Sequence, residues 1–251
     1  MENTLRTFAI IILLTVFTLS AMAQKQTTHV QQAWFAYFNQ TRISEHWGLW
    51  ADLHLRTKED FVNDLSTGII RVGLTYFAHD HLRFTAGYGF INHFPAEGHT
   101  GVSMPEHRPW QQVQWMNNSK RSRLTNAIRL EERYRRKIAN NDELGEGYNF
   151  NFRVRHNLLF MVPLSRQAFT PGTFSFVLNN EIHINFGKQI VNNYFDQNRL
   201  FGGFTYHISP HGQIQFGYMN LFQQLAAGNR YRSIHAGRIN YFHTLDLRKN
   251  G

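Results

Sequence analysis

The sequence predicts an all-β fold: an antiparallel membrane β-barrel of about 12 strands (10–12), preceded by a cleaved signal peptide. Three observations predict it. The first is an export signal, in which Arg6 precedes the apolar run Phe8 to Leu19, followed by Ser20-Ala21-Met22-Ala23-Gln24. A charged start, a short greasy stretch and an Ala-x-Ala site place cleavage between Ala23 and Gln24. The run is too short for a membrane-spanning helix, which needs roughly 20 apolar residues. The second observation is the stretch Leu124 to Arg135. Read with period two, Leu124, Asn126, Ile128 and Leu130 face one way, and Arg129, Glu131, Arg133 and Arg135 the other. The third is an alternation of short and long connections, the habit of barrels with short periplasmic turns and long outer loops.

Residues 1–23 are therefore expected to be the signal peptide and residues 24–251 the barrel. Loss of Glu2 with Arg6 leaves the formal net charge at +9. The chain has no cysteine, so an exported protein of this kind must rely on backbone pairing and packing, which a barrel supplies by closing its ladder. Aromatic residues make up 15% of the chain, with 22 Phe and 10 Tyr, although the mean hydropathy is negative. A barrel reconciles the two, because each strand gives half its residues to lipid and half to a polar lumen.

The elements follow in order. Val30–Arg42 sets Trp34, Ala36 and Phe38 against Phe35, Tyr37 and Asn39. In Trp47–Arg56, Leu49, Ala51, Leu53 and Leu55 alternate with Trp50, Asp52, His54 and Arg56. Thr67–Phe77 places Arg71 opposite Ile70, Val72 and Leu74, and Leu82–Phe90 places Arg83 opposite Leu82 and Phe84. Further strands are expected at Trp110–Asn117, Arg123–Arg135, Tyr148–Val162, Phe174–Phe186, Asn198–Ile208, Gln213–Gln223 and Ala236–Arg248. These make eleven segments. Single-chain bacterial barrels normally have an even count, so either a twelfth strand is expected within Gln24–Gln40 or in a long loop, or one of the turns is misplaced; twelve strands is the favoured reading. Ser44-Glu45, Ala78–His81, Asn118–Ser122 and Ser209–Gly212 read as tight turns, and Thr57–Ser66, Asn92–Pro109, Arg136–Gly147, Gly187–Gln197 and Leu225–Ile234 as longer loops.

One chemistry repeats on the charged faces: Asp52, His54 and Arg56; Arg71; Arg83; Arg129, Glu131, Arg133 and Arg135; Arg153 and Arg155; Glu181 and His183; Asp246. A lysine or arginine at the lipid midplane costs about 2–4 kcal/mol, so strands carrying two or three must turn them inward. Inside, arginines interleaved with carboxylates form a network that stiffens the barrel. The alternative to a purely structural network is a narrow anion-selective pore or a binding site for small anionic solutes, because the guanidinium fork suits carboxylate and phosphate alike. The loop Asn92–Pro109, with four prolines and glycines before its final proline, is a candidate recognition element through Glu106 and Arg108.

Other chemistries are poorly supported. Aromatics spread at strand spacing over the whole chain, together with the export signal, argue against nucleic acid. Outer-membrane lipid and lipopolysaccharide are the expected surroundings of the exposed cations. No catalytic set, metal site or cofactor is expected. Ser233 and His235 share a face and form the one weak candidate for a rim enzyme acting on lipid or lipopolysaccharide, with no carboxylate assigned to orient the imidazole. His93 and His99 lie in a loop, and His79 and His81 in a turn, without metal-ligand spacing beyond a lone His-x-His. A soluble periplasmic β-sandwich that binds a ligand is the remaining alternative.

Trp47-Gly48-Leu49-Trp50-Ala51-Asp52, Pro109-Trp110-Gln111-Gln112, Arg129-Leu130-Glu131-Glu132-Arg133, Gln197-Asn198-Arg199, Gly217-Tyr218-Met219 and Phe242 to Arg248 carry a resemblance across nearly all of the mature chain. They resemble the DUF2490 family, exported proteins of unknown function from Gram-negative bacteria, Bacteroidota among them. The resemblance implies an outer-membrane β-barrel and carries no catalytic residues.

Overall fold

A computed structural model of the chain describes residues 26–58 and 61–248. The expected signal peptide and the last three residues lie outside the described part. Among the described residues there are eleven strands: β1 (Gln26–Arg42), β2 (Trp47–Thr57), β3 (Leu65–His79), β4 (Leu82–His93), β5 (Met104–Asn118), β6 (Arg123–Ile138), β7 (Leu144–Pro163), β8 (Phe174–Phe186), β9 (Phe195–His207), β10 (Gly212–Gln224) and β11 (Arg230–Asp246). Each pairs antiparallel with its sequence neighbour, and the sheet closes on itself between β1 and β11.

That closure corrects the expected strand number. An even count is needed only if every pair, including the closing one, is antiparallel. Here β1 and β11 run side by side in parallel, in register from Gln26↔Arg230 to Arg42↔Asp246. An odd number of strands therefore closes without a twelfth. The segment Gln24–Gln40, one expected place for a hidden strand, holds none: from Gln26 onward it belongs to β1, which extends along this seam. A closed single sheet also replaces the sandwich alternative: among the described residues no second sheet packs against the first.

The connections fall at two ends. At one, the turn end, lie 43–46, 80–81, 119–122 and 208–211; at the other, the loop end, lie 58 and 61–64, 94–103, 139–143, 187–194 and 225–229. The expected rhythm has one exception. The β7–β8 connection, 164–173, is long yet belongs to the turn end, and its Phe169 packs against the barrel's apolar cluster. At the turn end, Arg42 donates to Asp80 Oδ1 at 2.7 Å, which holds the Asp80 carboxyl below the ordinary aspartate value.

Period-two alternation sorts the side chains. Leu49, Leu53, Leu55, Ile70, Val72, Leu74, Phe84, Leu158, Phe160, Phe176, Leu178, Ile182, Ile184, Leu200, Phe204, Phe216 and Ile239 are exposed on the outer surface. Asp52, Arg71, Glu106, Arg108, Glu131, Arg153 and His183 are buried inside. The distribution is the inverse of a water-soluble protein's. Inside, an apolar cluster of Trp34, Met161, Val177, Phe201, Met219, Leu221, Ile234 and Ala236 lies along β7 to β11 and β1.

Two cross-strand glycine pairs make room for the largest interior rings. Gly73 faces Gly87 across β3 and β4, and Gly203 faces Gly217 across β9 and β10. A Cβ on Gly87 would stand 2.7 Å from the Trp110 ring and collide with the Val72 carbonyl. Gly87→Ala is therefore expected to cost about 1–3 kcal/mol by overpacking, read from the shift in a urea unfolding midpoint. Unchanged stability would mean that Trp110 does not need this gap.

Candidate functional site

Charged side chains reach the interior because β2 to β9 each present them on the inward half of their alternation. Most join one chain of ion pairs running around the wall. His93 Nε2 stands 3.1 Å from Glu106 Oε2, and Arg108 Nη2 and Arg133 Nε both approach Glu106 Oε1 at 2.7 Å. Arg133 continues to Asp196 at 4.0 Å, and Asp196 accepts from Arg153 Nη1 at 2.8 Å. Arg153 Nε donates to Glu131 Oε2 at 2.8 Å, and Arg155 Nη1 donates to Glu131 Oε1 at 2.7 Å. Arg155 Nε then reaches Glu181 Oε1 at 3.1 Å, and Arg199 Nη1 reaches Glu181 Oε2 at 3.2 Å. His183 Nε2 lies 3.0 Å from the same carboxylate. A separate island joins Arg71 Nε and His54 Nε2 to Asp52 Oδ1, both at 2.8 Å, with Trp50 Nε1 donating to Asp52 Oδ2. Such networks are favourable in a dry interior only when each charge is answered. Every carboxylate named here is answered.

Several arginines are not. Among the described residues no carboxylate stands within ion-pair reach of Arg56, Arg83, Arg129, Arg135 or Arg238. Instead Arg56 lies over the Trp34 ring at 3.7 Å, Arg129 over Trp110 at 4.1 Å and Arg238 over Phe201 at 3.7 Å. Arg129 Nε donates to Gln112, Arg238 Nη2 to Gln215 and Arg135 Nη2 to Asn151. Arg56 Nε, Arg83 Nε, Arg129 Nη1, Arg135 Nε and Arg199 Nε are buried without a hydrogen-bond partner. Stacking a weakly hydrated guanidinium on an aromatic face offsets part of its burial cost.

These groups surround a cavity of about 510 Å³ inside the barrel. Ten arginines line it (Arg56, Arg71, Arg108, Arg129, Arg133, Arg153, Arg155, Arg199, Arg232 and Arg238) against one carboxylate, Glu181. At the loop end the lining includes Phe94, Ala96, His99 and Met104 of the β4–β5 segment. Toward the turn end it stops near Phe38, Trp50, Gln114 and Phe242. Beyond them Thr75, Phe77, Thr85, Met161, Ser175, Val177, Thr205 and His207 are buried and fill the barrel. The geometry is a cup with its floor at the turn end.

Three placements differ from the expectations. Glu106 and Arg108 are not in a loop: β5 begins at Met104, so both are strand residues deep in the ion-pair chain. The backbone pairs through Pro105 at the strand's start, where its missing N–H costs little. Asp246 does not face the lumen: it is exposed at the end of β11 and pairs with Arg248 at 2.6 Å. Arg83 and Arg56 point inward but stand outside the ion pairs. Ser233 and His235 are on the outward side of β11, Ser233 buried and His235 half-buried. Ser233 Oγ accepts from Asn220 at 3.0 Å, and His235 bonds Tyr218 and His29 at 2.5 and 3.1 Å, with no carboxylate in the set.

Sequence reasoning missed Asp196, Arg199 and Arg238. Arg199 and Arg238 follow the alternation of their strands. Asp196 does not, because a register shift between His183 and Ile184 turns both Asp196 and Gln197 inward. A bulge of this kind leaves no period-two signal.

Fold and site together define a closed, mostly antiparallel β-barrel with a cation-rich, ion-paired interior. The chain belongs to the DUF2490 family, described as protein of unknown function, whose model matches residues 31–232. No curated protein and no solved structure matches it.

Proposed function

We propose that the protein is an outer-membrane β-barrel whose lumen binds small anionic solutes. The observation that carries the ligand reading is that Arg56, Arg129 and Arg238 line the cavity with no carboxylate in ion-pair reach among the described residues, beside six further lining arginines that are already paired to Asp52, Glu106, Glu131, Asp196 or Glu181. A buried excess of positive charge is costly until an anion enters, so the cavity is built for a negatively charged guest. The membrane reading is supported by the continuous outer surface of leucine, isoleucine, valine and phenylalanine. The short connections are then assigned to the periplasm and the mouth of the cup to the outside. The filled floor favours binding over free passage.

Two measurements test these readings. Calorimetric titration of the detergent-solubilised protein with sulfate at low ionic strength is expected to show binding, weakened roughly tenfold by Arg129→Gln, the loss of charge-assisted hydrogen bonds. Absence of heat with the wild-type protein would contradict an anion site. For the outer surface, Leu53→Arg is expected to destabilise the barrel in lipid vesicles by about 2–4 kcal/mol. An unfolding midpoint equal to wild type would place Leu53 away from lipid.

A further inference from the structure

The cavity is cationic toward its mouth and carries a cluster of aromatic rings, set among Asp52, His54 and Arg83, toward its floor. Arg56 is opposite Trp34 across β1 and β2, and the rings of Phe38 and Trp50 lie further along the same strands toward the floor. Phe38 stacks on Phe242 with centroids 4.7 Å apart, and its edge meets Trp50 at 6.1 Å. All three rings line the cavity and are only partly buried. Four residues of strand separate Trp34 from Phe38, about 13 Å of rise. A small organic molecule spans that length, and cavities of this volume are the usual size for one.

The cationic zone has the chemistry of a phosphoryl site. Arg56 and Arg199 both approach the Trp34 ring, at 3.7 and 5.3 Å, and each keeps a buried Nε with no partner. Arg56 and Arg71 stand on the neighbouring strands β2 and β3 and Arg199 on β9, and all three line the cavity, with Arg71 Nε bonded to Asp52 and Arg199 Nη1 to Glu181. A planar carboxylate is matched by one fork, whereas a phosphoryl group offers three oxygens and nearly two charges at neutral pH.

We propose that the cavity takes an organic phosphate monoester, with its phosphoryl group among Arg56, Arg71 and Arg199 and its apolar substituent against Phe38, Trp50 and Phe242. This rests on the anion-binding reading above and narrows it to one ligand class. The substituent comes either from a single-chain lipid phosphate or from a soluble aromatic phosphate.

The test is a titration of the full-length, detergent-solubilised protein with four probes: inorganic phosphate, phenyl phosphate, hexyl phosphate and benzoate. At least one organic phosphate is expected to bind roughly tenfold more tightly than inorganic phosphate, the gain from burying a small apolar group. Preference for hexyl phosphate supports the alkyl source and preference for phenyl phosphate the aromatic one. Phe242→Ala is expected to remove that gain while leaving inorganic phosphate binding intact, and Arg56→Gln to weaken all three phosphates. Equal affinity for organic and inorganic phosphate in the wild-type protein would overturn the inference and leave anion binding standing. Benzoate binding more tightly than phenyl phosphate would overturn the phosphoryl assignment. If no probe binds, the inference and the anion-binding reading fall together. The wild-type comparison decides even if a variant does not fold.

Discussion

Replacing Glu131 with glutamine is expected to destabilise the barrel by about 3–5 kcal/mol, the cost of leaving a buried charge without its partner. Glu131 is fully buried and accepts from Arg153 Nε at 2.8 Å and Arg155 Nη1 at 2.7 Å. Arg108 Nη1 stands a further 3.8 Å away. Glutamine keeps the shape and removes the charge that answers these guanidiniums. Arg153 keeps Asp196 and Arg155 keeps Glu181, so the network is weakened at its centre rather than dissolved. Urea unfolding in a lipid environment measures the loss. Adding Arg155→Gln to the same chain is expected to restore part of it, because the second change removes an unanswered cation. A Glu131→Gln protein as stable as wild type would show that the ion-pair chain does not hold the barrel together.

Trp110→Ala is expected to cost a similar 3–5 kcal/mol, the range for deleting a fully buried aromatic side chain. Trp110 is 1% exposed and fills the gap left by Gly73 and Gly87. It also carries the Arg129 guanidinium on its face at 4.1 Å. Alanine therefore opens a cavity and strips a buried cation of its stacking partner. Trp110→Phe is expected to cost less: it keeps a ring and removes Nε1, which is buried without a hydrogen-bond partner. Equal losses for alanine and phenylalanine would show that the indole's full size, rather than an aromatic face, is what the site requires.

Much of the fold was legible because alternation in a barrel is a physical necessity. A strand such as β6, with Arg129, Glu131, Arg133 and Arg135 on one side, has only one tolerable orientation when its other face is greasy. The strand count was less legible. Parallel pairing of β1 with β11 has no signal in either strand alone, since the same alternating pattern suits both directions. The start of β5 was hidden by Pro105 and Pro109, which read as loop chemistry but are tolerated beside Glu106 and Arg108 in the strand. Arg129, Glu131 and Arg153 were visible as inward charges. Which of them would find a carboxylate depends on neighbours across the barrel, as Asp196 and Arg153 show, and no local pattern contains that information. The same holds for Trp34, whose ring meets Arg56 from β2 and Arg199 from β9.

Interior and exterior constrain one another. The ion-paired interior sits inside a closed wall, and the outer face of that wall exposes Leu53, Ile70, Phe176 and Ile182, which a nonpolar surrounding would stabilise. Membrane fractionation of cells producing the full-length chain tests this most directly. The account predicts recovery in the outer-membrane fraction, retention through carbonate and urea washes, and release by detergent alone. Recovery of the folded protein in the soluble periplasm without detergent would contradict it.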